Sequence, residues 1–303
     1  MKVRIGISLG PAGTPETFAD TVDLLEQSGV DSLWLPENVY SPLVEPFTGM
    51  AFALSRTGRL KVGSGISVLP GRHPVLVAKQ LASLAGLAPG RVLPVFGLQP
   101  AQSAERVLFG VPAGRRAAVF DESLTLLRML LTMDTVSFEG EFFSVSGATV
   151  GTLPAKPLDI WLGGSVPAGL QRVGRLADGW LGSLLTPAEA GRAVAVIQGA
   201  AGAIGRVVDP DHFGLSLPVA LPGNGQSGIP DALLASIHRR RPGTDPATLV
   251  AAGWDGARRM IGQYVEAGLS KFVVRPATLP RFGAPSFHPF VEGFARELVP
   301  LQN

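Results

Sequence analysis

The sequence contains no cysteine, which excludes disulfide frameworks, thiolate metal sites and cysteine nucleophiles together. Lysine is scarce too, with five among the 26 basic residues. Lys2, Lys61 and Lys271 fall where strands begin and Lys79 and Lys156 lie elsewhere, so no lysine stands at a strand end and a Schiff-base aldolase is disfavoured. The four histidines, His73, His212, His238 and His288, show neither His-x-x-x-His spacing nor an accompanying carboxylate cluster, so no metal is expected. A Gly-x-Ser-x-Gly nucleophile elbow is also missing. No apolar run approaches the roughly 18 residues of a membrane span. Basic and acidic residues nearly balance, 26 against 24, which leaves no electrostatic footprint for nucleic acid. The opening residues, Met1 to Ser8, lack the apolar core of a signal peptide, and a cytoplasmic address is the expectation. The expected partner is therefore a small-molecule substrate, with neither nucleic acid nor membrane involved and a homodimer left open.

What the chain does hold is core material: 46% hydrophobic and 17% charged residues describe a globular protein, and 303 residues suit one α/β barrel as well as two average domains. Short β-branched runs alternate with segments of helical period, the rhythm of βα units around a parallel sheet. Strands are predicted at 3–9, 32–35, 61–68 and 91–96. Helices are predicted from Pro15 to Gly29 behind Thr14 as N-cap, from Glu45 to Thr57, and from Pro74 onward. A longer helix aligns Phe120, Leu124, Leu127 and Leu131, and residues 136–145 then alternate like a hairpin around Glu139-Gly140-Glu141. The βα rhythm resumes with strands at 158–162, 180–183, 212–219 and 271–275. Helices are predicted at 166–176 and 187–203, behind Asp255 as a cap, and at 287–298. Eight strands and eight helices predict a single (β/α)8 barrel domain over residues 1–303, with a hairpin insertion at 134–157 after strand 4 and a long loop insertion at 220–253 after strand 7. A doubly wound sheet would carry Gly-x-Gly-x-x-Gly after its first strand, which Gly10-Pro11-Ala12-Gly13 does not match.

A barrel holds its site at the C-terminal strand ends and the loops that follow them. There the sequence places Glu37 and Asn38 after strand 2, and Ser64-Gly65-Ile66 within strand 3, where a glycine suggests a bulge. Arg72-His73 leads into the third helix, with His73 read as its cap. Gly163-Gly164-Ser165 offers backbone N–H groups to a phosphate, with Ser165 expected to cap the helix that follows. Ser183 ends the sixth strand and Arg275 the eighth. The run Arg239-Arg240-Arg241 reads as a solvated loop or as an anchor for a polyanionic tail. Asp178-Gly179-Trp180 precedes the sixth strand and so belongs to the opposite, structural face.

Together, Asp31-Ser32-Leu33-Trp34-Leu35-Pro36-Glu37, Val62-Gly63-Ser64-Gly65 and Arg72-His73-Pro74 through Gln80 form a recognisable pattern. It continues in Phe138 to Phe143, Ile160-Trp161-Leu162-Gly163-Gly164-Ser165 and Ala177-Asp178-Gly179-Trp180. This pattern resembles the luciferase-like monooxygenase superfamily, above all its branch that uses the deazaflavin coenzyme F420, over residues 1 to about 200. The resemblance implies a flavin or deazaflavin lying over the strand ends and a hydride passing between its ring and a substrate carbon. It also implies a third-strand bulge, often with a non-proline cis peptide, within Ser64, Gly65 and Ile66, a phosphate-binding region at Gly163, Gly164 and Ser183, and cofactor contacts at Gly97 and Gln99.

Two departures bear on the reaction. Where related enzymes place a catalytic Asp-His pair or a lone His, this chain has Glu37-Asn38, and an amide is not a proton-transfer group at neutral pH. Beyond the fourth strand, Pro100 stands where the sugar-phosphate dehydrogenase branch has a Glu, which argues against glucose-6-phosphate dehydrogenation, and light emission is not expected either. The expectation is an F420-dependent oxidoreductase with Glu37 as acid-base candidate and Asn38 orienting ring or substrate. A two-component FMN monooxygenase and a non-catalytic flavin- or deazaflavin-binding protein are the alternatives.

Overall fold

The computed structural model describes residues 1–9, 13–221, 229–277 and 287–303. In chain order it begins β1 (Arg4–Ser8), α1 (Pro15–Gln27), β2 (Ser32–Leu35), α2 (Pro46–Arg56), β3 (Lys61–Ser64), β4 (Ser67–Val68), α3 (Pro74–Leu87), β5 (Val92–Leu93), β6 (Val95–Gly97) and α4 (Arg116–Thr132). There follow β7 (Val136–Glu139), β8 (Ser144–Ala148), β9 (Trp161–Gly163), α5 (Pro167–Leu176), β10 (Gly179–Ser183), α6 (Pro187–Gly202), β11 (Phe213–Ala220), α7 (Asp231–Arg240), β12 (Ala251–Ala252), α8 (Gly253–Glu266), β13 (Lys271–Pro276) and α9 (Phe287–Glu297). Proline's abundance has a local explanation: α1, α2, α3, α5 and α6 each begin on a proline, whose fixed φ suits the first turn and whose missing N–H would have had no partner there. No helix among the described residues is long and apolar enough to cross a membrane.

The main sheet is parallel. β1 pairs with β2 and β13, β2 with β3, β13 with β11, β11 with β10, β10 with β9 and β9 with β6. Strand positions three and four are each broken: β3 pairs with β5 and β4 with β6. Because β3 continues into β4 and β5 into β6, these pairings return the sheet to its start and curl it into a barrel. The fourth position, expected as one strand over 91–96, breaks at Pro94, which has no N–H to give a ladder. Its carbonyl still accepts Trp161 N–H at 3.1 Å.

Alternation along the strands sorts the side chains into two sets. Ile5, Ile7, Leu33, Leu35, Phe96, Leu215, Leu217, Phe272 and Val274 face outward and join the core beneath the helices. Trp34, Val95, Trp161, Leu181 and Val273 form a separate cluster inside the barrel, with Ile66 and Leu93 packed against it. The indole of Trp34 needs room: a Cβ at Gly63 would stand 3.1 Å from it and 2.4 Å from the Leu93 carbonyl.

Several expected boundaries shift. The fifth strand begins at Trp161 rather than Leu158, because Ile160 gives its N–H to the Asp178 carboxylate at 2.9 Å instead of to a neighbouring strand. Asp255 lies inside the first turn of α8, whose N-cap is Ala252. Val166, not Ser165, caps α5, and without a side-chain hydrogen bond. His73 does cap α3, its Nδ1 accepting Val75 N–H at 3.3 Å. An antiparallel ribbon of β7 and β8 occupies the expected hairpin. Between 220 and 253 the chain forms α7 and the short β12, which pairs with β11, while 222–228 lie outside the described residues.

Candidate active site

The C-terminal ends of the strands bring together most of the residues expected there. The peptide between Gly65 and Ile66 is cis, within the third-strand segment where a bulge was expected. Gly65 N–H donates to Leu35 O at 2.8 Å, and Glu37 N–H donates to Ile66 O at 3.3 Å, so the end of β2 and the loop after it hold the segment between β3 and β4 from one side. The Glu37 side chain holds it from the other, since its Oε2 accepts Val68 N–H at 2.7 Å. The Ile66 side chain then crosses the barrel interior. A Cβ at Gly97 would stand 2.2 Å from Ile66 Cδ1, and one at Gly163 would stand 3.1 Å from its Cγ2, so glycine at both positions makes room for the isoleucine.

Glu37 is buried, at 6% exposure, and neither oxygen is free. Oε1 is paired with Arg72, whose Nε also donates to Val68 O at 2.9 Å and whose guanidinium lies over the rings of Phe47 and Phe109. Burial pushes the Glu37 carboxyl up, opposed by the Val68 N–H and Arg72 and reinforced by Glu45 and Glu105. This is the geometry of a brace, unlike that of an open acid or base. The partner lies 35 residues away in sequence, which is why the chain alone gave no sign of it. Beside Glu37, Asn38 is half-buried, and its carbonyl accepts the Ser41 hydroxyl at 2.6 Å.

Ser64, expected at the cofactor, has its hydroxyl engaged elsewhere. It donates to Val95 O at 2.9 Å and accepts Val95 N–H at 3.1 Å, joining the third and fourth strands beside the break at Pro94. Gln99 is exposed. Gly163 ends β9, and Gly164 just after it has φ +117°, a conformation that favours glycine. The Gly164 carbonyl accepts the indole N–H of Trp180 at 2.7 Å. Trp180 was assigned to the structural face from its place at the start of β10, yet its indole reaches the opposite end of the strand. Ser183 is exposed at the end of β10, followed by Leu184 with φ +54° and by the capping box of Thr186 and Glu189.

Arg275 lies one residue before the end of β13, partly buried, and no carboxylate pairs with it among the described residues. Burial, then the positive charge of Arg240 on α7, pulls its pKa down. Two cations thus stand near one another at the mouth. Arg241, by contrast, is tied to Glu189 and Thr244. Sequence reasoning missed Glu105, which is fully buried in the short 3-10 turn Ser103–Leu108. Its Oε1 accepts Tyr40 N–H at 2.8 Å, linking the loops after β2 and β6, and its Oε2 has no partner among the described residues. A turn this short has no periodicity to mark one carboxylate as buried.

Among proteins of known sequence, an F420-dependent glucose-6-phosphate dehydrogenase of Nakamurella multipartita is 31% identical over 179 residues, 55% of this chain and 52% of that one. The chain thus spans about half the length of the curated relatives it matches. Among solved structures, an F420-dependent secondary alcohol dehydrogenase in complex with an F420-acetone adduct superimposes with a TM-score of 0.83 at 18% identity, over 100% of both chains. The oxygenating constituent of 3,6-diketocamphane monooxygenase of Pseudomonas putida, a type II Baeyer-Villiger monooxygenase in complex with FMN, superimposes at 0.78 and 18% identity, over 100% of this chain and 99% of that one. At such identities these structures establish the shared fold. The family profile for luciferase-like monooxygenases matches residues 1–268, and the chain belongs to that family.

Proposed function

We propose that this chain is an oxidoreductase that binds coenzyme F420 at the barrel mouth and passes a hydride between it and a small organic substrate. The observation that carries the reading is the mouth's division into an apolar bed and a cationic edge. Ile66, seated over Gly97 and Gly163, is the bed for a flat ring. Arg275, without a carboxylate partner among the described residues and with Arg240 near it, is a place for an anionic tail. The backbone N–H groups beyond Gly163-Gly164, at the start of α5, and exposed Ser183 would serve the same tail. The names of relatives such as the Nakamurella dehydrogenase favour F420 as the cofactor.

When bound, F420 supplies the ring carbon that takes or gives the hydride. The chain's residues provide position. Glu37, gripped by Arg72 and Val68, holds the bed at a fixed height and is a positioning residue in this reading. The Asn38 side chain, half-buried beside it, orients ring or substrate by hydrogen bonding. Gln99 lies at the rim. Asn38 and Pro100 speak against taking over the relative's glucose-6-phosphate substrate. We read the β7–β8 ribbon and the 220–253 segment as insertions into one barrel domain.

FMN in a two-component monooxygenase is the second reading, favoured by the likeness to the FMN-bound camphane enzyme. Incubating the purified protein with equimolar F420 and FMN, followed by gel filtration and absorbance of the protein peak, tests the choice. Co-elution of F420 is expected, and co-elution of FMN alone would replace the proposal with the second reading.

A further inference from the structure

A cavity of about 480 Å³ opens at the other end of the barrel, where the strands begin. That volume is within the range of small-molecule pockets, about 300–1,000 Å³. Trp34 and Trp161, part of the apolar cluster inside the barrel, line it. Arg4, Lys61 and Lys271, the first residues of β1, β3 and β13, also line it. The three cations converge on one carboxylate: Asp31 lies 3.9 Å from Arg4 Nε, 2.9 Å from Lys61 Nζ, and in direct contact with Lys271 Nζ.

One negative charge does not neutralise three positive ones. The Lys271 ammonium carries three N–H donors, its side chain is 9% exposed, and Asp31 is its one acceptor among the described residues. Lys156 lines the same cavity and has no carboxylate partner among them. The lining also holds Lys2 and three acids: Asp159 faces His212 at 3.8 Å, Asp211 accepts Lys2 N–H and Asp209 accepts Asp211 N–H, each at 2.8 Å, so with Asp31 four acids stand against five basic residues. An ion cluster serving only to fasten the strand starts would need neither the excess of cations nor the open volume before it. Trp161, 9% exposed and packed on His212 with ring centroids 5.4 Å apart, is the indole at hand for a ring, whereas Trp34, at 1%, is buried with Lys271 Nζ 5.6 Å from its centroid.

We propose that this cavity is a second ligand site, taking a small aromatic carboxylate whose anionic group lies among Lys271, Lys61 and Lys156 and whose ring lies against Trp161. It is separate from the mouth. On β13 the inward residues are Lys271, Val273 and Arg275, and Val273 belongs to the apolar cluster that parts the two ends.

Calorimetric titration with sodium benzoate tests the site in the wild-type protein and in Lys271→Met, Lys156→Met and Arg275→Gln. Saturable binding is expected, weakened about tenfold by each lysine substitution through loss of a charged donor and unchanged by Arg275→Gln. Lys156 is exposed, so its variant remains decisive if Lys271→Met does not fold. No saturable binding below about 10 mM, weaker than the millimolar range, would overturn the proposal. So would wild-type affinity in the lysine variants, or loss of binding in Arg275→Gln, which would put benzoate at the mouth.

Discussion

Buried Glu37 and partly exposed Arg72 form an ion pair that grips the third strand at one residue, just beyond Gly65-Ile66: the carboxylate takes Val68 N–H and the guanidinium gives to Val68 O. Glu37→Gln keeps an acceptor for Val68 but leaves Arg72 without its counter-charge. Removing one partner of a buried pair costs about 3–5 kcal/mol, and the partial exposure of Arg72 puts this pair at the low end, about 3 kcal/mol. The expected outcome, measured by urea unfolding, is a loss of that size, with weaker F420 binding. Were Glu37 instead a general acid, turnover would fall steeply while stability and cofactor affinity held.

The seat of Ile66 can be tested by crowding and relief. Gly97→Ala would bring a methyl against Ile66 Cδ1 and displace the side chain, an overpacking worth about 1–3 kcal/mol. Adding Ile66→Val removes the Cδ1 atom. F420 affinity should drop in the single variant and recover most of the way in the double one. Equal affinity in Gly97→Ala and wild type would mean that Ile66 is not part of the bed.

Arg275→Gln should separate binding from stability. A partly buried cation with another cation near it and no carboxylate partner among the described residues contributes little to folding, so thermal unfolding should stay level or rise. F420 affinity should fall about tenfold or more, through loss of a charged hydrogen bond, and its salt dependence should flatten. A large loss of stability with affinity intact would make Arg275 structural.

Most of the barrel was legible because its signals are local: proline at helix starts, β-branched runs and two-residue alternation. The mouth was legible as a place, since Ile66, Gly97, Gly163, Ser183 and Arg275 all fall at strand ends. Its internal wiring was not. Glu37 meets Arg72, Ser64 meets Val95 and Trp180 meets Gly164 across strands, 35, 31 and 16 residues apart. Such pairs are set by how the sheet curls, and no local pattern records them. For the same reason the bonding of the Ser64 hydroxyl to the broken fourth strand was not legible, and Glu105 went unseen.

The barrel floor should show itself in acid. Burial pushes the Asp31 carboxyl up, but Lys271 and Lys61 outweigh it and hold it at about 2, below the ordinary 3.8. A carboxylate lowered on folding stabilises above its unfolded value and loses that contribution as pH falls through the folded one. Unfolding free energy should therefore drop by about 2 kcal/mol between pH ~4 and pH ~2 from this group. Asp31→Asn should be less stable at neutral pH and should show a flatter acid limb. An unchanged limb would remove Asp31 from the balance.

The most direct measurement is a fluorescence titration of the purified protein with F420 and, separately, with FMN, in wild type and Arg275→Gln. The expected result is saturable binding of F420 that is tighter than that of FMN and that weakens in the variant. Tight FMN binding with none for F420, or F420 binding indifferent to Arg275, would contradict the assignment of the mouth to the deazaflavin.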